Sequence, residues 1–116
     1  MTTQLVLRQV EELEKTQLPC GVCIWRNDKK RVVIVDKTLV VFTPTEYRLL
    51  LLLLNGSIID DIILIETFSC QEMNKATRNL LKKHIENTKG KLNVLGLDIY
   101  RVYRKGYVLM GAETTS

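Results

Sequence analysis

Hydrophobic and polar residues follow three different spacings along the chain. Over residues 3–17, Val6, Val10, Leu13 and Gln17 fall near one stripe, and Arg8/Glu12 and Glu11/Lys15 are spaced for i,i+4 pairing. That spacing predicts a short amphipathic helix, ended by Pro19, in an N-terminal segment 1–19. Over 21–42 the period changes. Residues 21–26, 31–35 and 39–42 are rich in Val and Ile and are separated by turn residues at 27–30 and 36–38. They predict three short strands in an antiparallel meander.

A helical period then takes over. Thr43-Pro44-Thr45-Glu46 sets Thr at the N-cap, Pro at the first helical position and Glu at the third, so cap and Glu can satisfy each other's backbone. This helix is expected to run through Leu54, with Gly56 near its stop. Asp60 can cap a second helix over 61–68, whose run Ile62-Ile63-Leu64-Ile65 is apolar on most sides and predicts burial. A third helix is expected over 74–91. Thr77, Leu80, Leu81, His84, Ile85, Thr88 and Leu92 share one arc, and Lys75, Arg78, Lys82, Lys83, Asn87 and Lys89 share the other. Residues 97–102 and 107–110 read as the strands of a hairpin with Tyr103-Arg104-Lys105-Gly106 at its tip. The order is helix, three strands, three helices and hairpin, an α+β chain with one domain over 20–111 and a disordered tail at 112–116.

Charge sharpens this picture. Residues 1–74 carry eight Lys and Arg against ten acids, whereas residues 75–107 carry nine against Glu86 and Asp98, a net +7. The cations therefore concentrate on the third helix and the hairpin, which points to a polyanionic partner; a merely solvated basic face is the alternative. The most apolar stretch, 49–65, is interrupted by Asn55, Gly56, Ser57, Asp60 and Asp61, so no membrane span is expected. The N-terminus lacks the layout of a signal peptide, and three cysteines do not form a disulfide scaffold. A cytoplasmic location is expected.

Three helices followed by a hairpin can present two contact elements to double-stranded DNA. One helix fits the major groove, about 12 Å wide, and the hairpin reaches the neighbouring backbone or minor groove. Lys75, Lys82, Lys83 and Lys89 suit phosphates, while Arg78 and Asn87 are candidates for base edges. Arg101, Tyr103, Arg104 and Lys105 are candidate hairpin contacts, and Tyr107 favours core packing. His84 suits a phosphate contact or simple packing. Glu86 would repel phosphate, so it either reads a cytosine amino group or lies off the DNA.

TPTEYRLLLLL at 43–53, HIENTKGKL at 84–92 and YRVYRKGYVL at 100–109 resemble the C-terminal effector domain of OmpR/PhoB-type response regulators. The resemblance covers about residues 21–110. It implies a winged helix-turn-helix with a four-stranded N-terminal sheet, three helices and a C-terminal hairpin wing. It also implies sequence-specific duplex binding and transcriptional control, with a homodimer, RNA polymerase or another regulator as further partners. The chain departs from the family at several points. It carries no receiver domain with a phosphoacceptor Asp, so phospho-switching in cis is not expected. Glu86-Asn87 replaces a basic pair, Thr88 stands where a core Leu is usual, Gly90 weakens the last helical turn, and Arg104 occupies the first wing glycine. The loop matching the family's polymerase contact, 69–75, is short and weakly charged, against an activator role.

Cys20 and Cys23 have C-x-x-C spacing, but only Cys70 and His84 could complete a zinc site. They read as structural cysteines, with a redox- or metal-sensing regulator as an alternative. The sequence offers no catalytic triad, paired-carboxylate site or phosphate-binding glycine loop, so neither an enzyme nor a cofactor is expected. A winged helix that docks proteins instead of DNA remains an alternative, motivated by Glu86 and the altered wing.

Overall fold

Alternating apolar positions build the N-terminal layer. In the computed structural model, which describes residues 13–69 and 73–112, β1 (Glu14–Gln17), β2 (Cys23–Asn27), β3 (Val32–Val35) and β4 (Thr38–Val41) form an antiparallel sheet in sequence order. Trp25 lies opposite Ile34, and Val33 opposite Val40. One face sends Ile24 and Val33 into the main core. The other gathers Val32 and Ile34 with Leu13 and Trp25.

The helix expected over 3–17 falls largely on residues 1–12, outside the described residues. Its end is corrected: Glu14–Gln17 is strand, not helix. The chain reverses at 18–22, where Leu18 N donates to Val22 O at 2.8 Å and Gly21 adopts a φ of +95°. That turn lays 14–17 alongside β2, where Arg26 pairs with Glu14 at 3.2 Å and donates to Thr16 Oγ1 at 3.1 Å. Helical propensity over so few residues is weak, and a ladder with β2 outweighs it. This strand is the fourth that the family resemblance implies.

The three helices follow the order read from the sequence. In α1 (Pro44–Leu53) the capping box is complete, Thr43 N donating to Glu46 Oε1 at 2.8 Å and Glu46 N to Thr43 Oγ1 at 3.3 Å. In α2 (Asp61–Glu66) Asp60 accepts from Ile62 N at 2.8 Å. This helix stops two residues short of the expected 68, because the Thr67 hydroxyl donates to Leu64 O at 2.7 Å and closes its end. Its burial is also corrected: Leu64 and Ile65 are buried, but Ile62 and Ile63 are 48% and 46% exposed. The helix is packed on one side only, so Ile62 and Ile63, on its other side, stay in solvent. In α3 (Lys75–Val94) Asn74 caps Thr77 N at 2.9 Å, and the helix passes through Gly90 to end three residues beyond 91. Thr77, Leu81, Ile85, Thr88 and Leu92 face inward, whereas Leu80 is 43% exposed, unlike the arc expected for it. Thr88 fits its buried position because its hydroxyl donates to His84 O at 2.7 Å.

The hairpin of β5 (Leu97–Val102) and β6 (Gly106–Gly111) packs Leu97, Ile99 and Leu109 onto this core. Residue Ile59, between α1 and α2, adds a bridge to Tyr107 through bonds of 2.8 and 3.0 Å in both directions. The hairpin is thus fixed to the start of the helix pair α2–α3. Of the expected tail, Ala112 donates to Gly96 O at 2.9 Å, and 113–116 lie outside the described residues.

Glu46 also joins layers. It is 4% exposed and accepts from Lys91 Nζ at 2.6 Å, fastening the cap of α1 to the last turns of α3. Burial by itself would push its carboxyl up, but the bonds from Lys91 and Thr43 outweigh burial and hold it below the usual 4.5. A lowered folded value contributes stability that is present above pH 4.5 and lost as pH falls through the folded value. Glu46→Ala removes both ion pair and cap and is expected to cost about 2 kcal/mol. Glu46→Gln keeps the cap, costs about half as much, and flattens the acid limb of stability against pH. Urea melts between pH 3 and 7 check both outcomes.

Candidate nucleic-acid interface

Residues three and four apart on a helix share a face, so Lys75, Arg78, Lys82, Glu86 and Lys89 form one stripe along α3. That stripe borders an open groove whose far wall is the hairpin, at Ile99, Arg101, Tyr103 and Tyr107. Its floor includes Leu81 and Ile85, and Asp61 and Met73 line its end. Beyond Tyr103 a smaller hollow joins Arg78 to Arg101, Arg104 and Lys105. Arg78 lines both, so the α3 cations and the hairpin tip share one side of the molecule.

The residues singled out from the sequence divide into groups. Lys75, Arg78, Lys82, Lys83, Arg104 and Lys105 are exposed and have no ion pair among the described residues. Lys89 is engaged internally: its Nζ lies 3.3 Å from Asp98 Oδ1 and 5.9 Å from the Tyr100 ring centroid. Asp98 would be raised by its burial, but bonds from Asn93, the Ile99 amide and Lys89 hold it below the ordinary range. Arg101 is held at 2.6 Å by Asp61 and lies 4.9 Å over the Tyr107 ring. The Asp61 bond raises its already high pKa. Lys91, part of the +7 block, faces Glu46 instead of the groove.

His84, Lys83 and Asn87 stand apart from the groove. The His84 ring is half-buried with its centroid 5.0 Å from that of Phe68, a packing contact. Lys83 and Asn87 are exposed, each one residue on from a stripe member and so about 100° round the axis. Tyr103 is 78% exposed, with the Arg104 guanidinium 5.1 Å over its ring. Tyr107 is buried, as its core reading expects. Burial raises its phenol, opposed by the Arg101 charge and reinforced by Asp61 and Glu86.

Sequence reasoning missed Asp61 and Asn79 as groove residues. Asp60 and Asp61 read as helix-start acids, and only Asp60 is used as a cap. Asp61 meets Arg101 forty residues later, a pairing that no local spacing reveals.

The tip itself is strained. Lys105 N donates to Val102 O at 3.0 Å, closing a turn whose third residue, Arg104, has a φ of 59°. Glycine or asparagine ordinarily holds that place. A side chain there costs about 1 kcal/mol, partly offset by glycine's greater freedom when unfolded. Arg104→Gly is therefore expected to leave stability unchanged or raise it by roughly 0.5 kcal/mol, as read from a thermal melt.

Cys20 is exposed and Cys23 half-buried, both as free thiols. Among the described residues no three His, Cys, Asp or Glu side chains come together as a metal site, and no helix is long and apolar enough to cross a membrane.

No family model matches the sequence, and no curated protein matches it significantly. The fold does match a solved structure, that of the DNA-binding domain of response regulator AdeR in complex with an intercistronic region. The two superpose with a TM-score of 0.60 at 21% identity, over 76% of this chain and 94% of that one. The four-stranded sheet, three helices and C-terminal hairpin are thus the winged-helix arrangement.

Proposed function

We propose that this chain is a sequence-specific duplex-DNA-binding regulator acting in the cytoplasm, with α3 in the major groove and the 103–105 tip on the adjoining backbone or minor groove. One observation carries the reading: five cations without ion pairs among the described residues, Lys75, Arg78 and Lys82 on α3 and Arg104 and Lys105 at the tip, line the groove and the hollow that adjoins it. Neutralising phosphates releases counterions, so affinity has to fall steeply with salt. With about five phosphate contacts, affinity is expected to drop roughly 500-fold between 50 and 200 mM salt. Electrophoretic shifts at those two concentrations test this. Absent or salt-insensitive binding would remove the proposal. The solved winged helix bound to an intercistronic region lends support by analogy of fold.

A second reading, a winged helix that docks a protein, draws on Ile58, Ile62 and Ile63. All three are 46–48% exposed around the start of α2. Under that reading, reversal of Arg78 and Lys82 to Glu leaves partner capture intact. RNA polymerase, another regulator or a second copy of the chain would be the partner to test.

A further inference from the structure

The cations hold a duplex without choosing its sequence; choice needs side chains aimed at base edges. Arg78 and Asn87 are the base readers expected from the sequence. Arg78 lines both the main groove and the hollow under the hairpin tip, a position turned toward the wing and the strand of phosphates that would lie between the two elements. Asn87 lies on the flank, away from the groove. Two other polar groups occupy the outward edge of α3. Asn79 and Glu86 border the groove, are exposed, and have no hydrogen bond or ion pair among the described residues. Glu86 stays unpaired although Lys82 and Lys89 stand one turn away on either side.

We infer that Asn79 and Glu86 are the principal base-reading residues of this chain, with Asn79 selecting adenine and Glu86 selecting cytosine. The inference rests on the duplex-binding reading above. The chemistry follows from what each group offers. An Asn amide gives a donor and an acceptor that match adenine N6 and N7 together, while a carboxylate accepts from cytosine N4 and is repelled by phosphate. The geometry sets a spacing. Seven residues of helix rise about 10.5 Å, and base pairs stack every 3.4 Å or so, so the two positions read sites about three base pairs apart. Lys82, midway between them, is the phosphate anchor that keeps this register.

Selection from random duplexes, run with the wild type, Asn79→Ala and Glu86→Ala, tests the assignment. Both side chains are exposed, so both variants are expected to fold. Each variant should lose about tenfold discrimination at one position, and the two relaxed positions should lie about three base pairs apart. Glu86→Ala is also expected to bind non-specific duplex more tightly, since a like charge is gone. Salt-dependent binding with the selected sequence unaltered in both variants would overturn the assignment and leave the DNA reading standing. Arg78→Ala and Asn87→Ala are selected in parallel, and relaxation by either of these alone would do the same. Failure of the wild type to bind any duplex would overturn both.

Discussion

Gly106→Ala is expected to cost about 3 kcal/mol or more and to lower the melting midpoint by on the order of 10–20 °C. A Cβ at this position would stand 1.9 Å from the Ile59 carbonyl oxygen and 2.6 Å from its carbon, and the φ of +142° already disfavours a side chain. The neighbour cannot retreat cheaply. Ile59 is bonded in both directions to Tyr107, and Asp60, next in the chain, caps α2. Relief would break those bonds or shift the helix pair. Gly90→Ala is the matched control: a Cβ there meets nothing within 4 Å, and the helical site favours alanine by about 1 kcal/mol. Thermal circular dichroism of the two variants should therefore move in opposite directions. A Gly106→Ala melt within a few degrees of wild type would mean that the hairpin does not lie against Ile59 as described.

The second large effect concerns affinity. Arg78→Glu with Lys82→Glu removes two unpaired cations and puts two acids in their place, beside Glu86. Duplex affinity at moderate salt is expected to fall a hundred-fold or more, with the salt slope reduced by about two. Neither side chain is buried or ion-paired among the described residues, so the melt should stay close to wild type. Titration of a short duplex beside a melt separates the two readouts. Undiminished affinity in a folded double variant would take the stripe off the DNA.

Local chemistry made much of this legible in the sequence. The Thr43–Glu46 box and Asp60 each mark a helix start through bonds that span two or three residues, so the residue types alone locate them; the Asn74 cap of α3 emerges only in the structure. The hairpin turn was readable for the same reason, Lys105 N donating to Val102 O three residues back. Long-range partners were not. Residues 3–17 have a helical spacing of charge, and only the turn at 18–22 decides that their end, Glu14–Gln17, pairs with β2. Which cations remain available depends on Asp61, Asp98 and Glu46, whose contacts with Arg101, Lys89 and Lys91 arise from packing. The arc containing Leu80 and His84 looked continuous, yet the core takes only the Thr77, Leu81, Ile85, Thr88 and Leu92 line, and Phe68 claims His84.

In the proposed complex, helix and wing tip grip adjoining parts of one duplex. Hydroxyl-radical footprinting on a selected site measures this for the wild type, for Arg78→Glu/Lys82→Glu and for Arg104→Ala/Lys105→Ala. The tip variant is expected to lose only the protection flanking the major-groove contact, while the helix variant loses the central protection. A footprint left unchanged by the tip substitutions would contradict the joint grip.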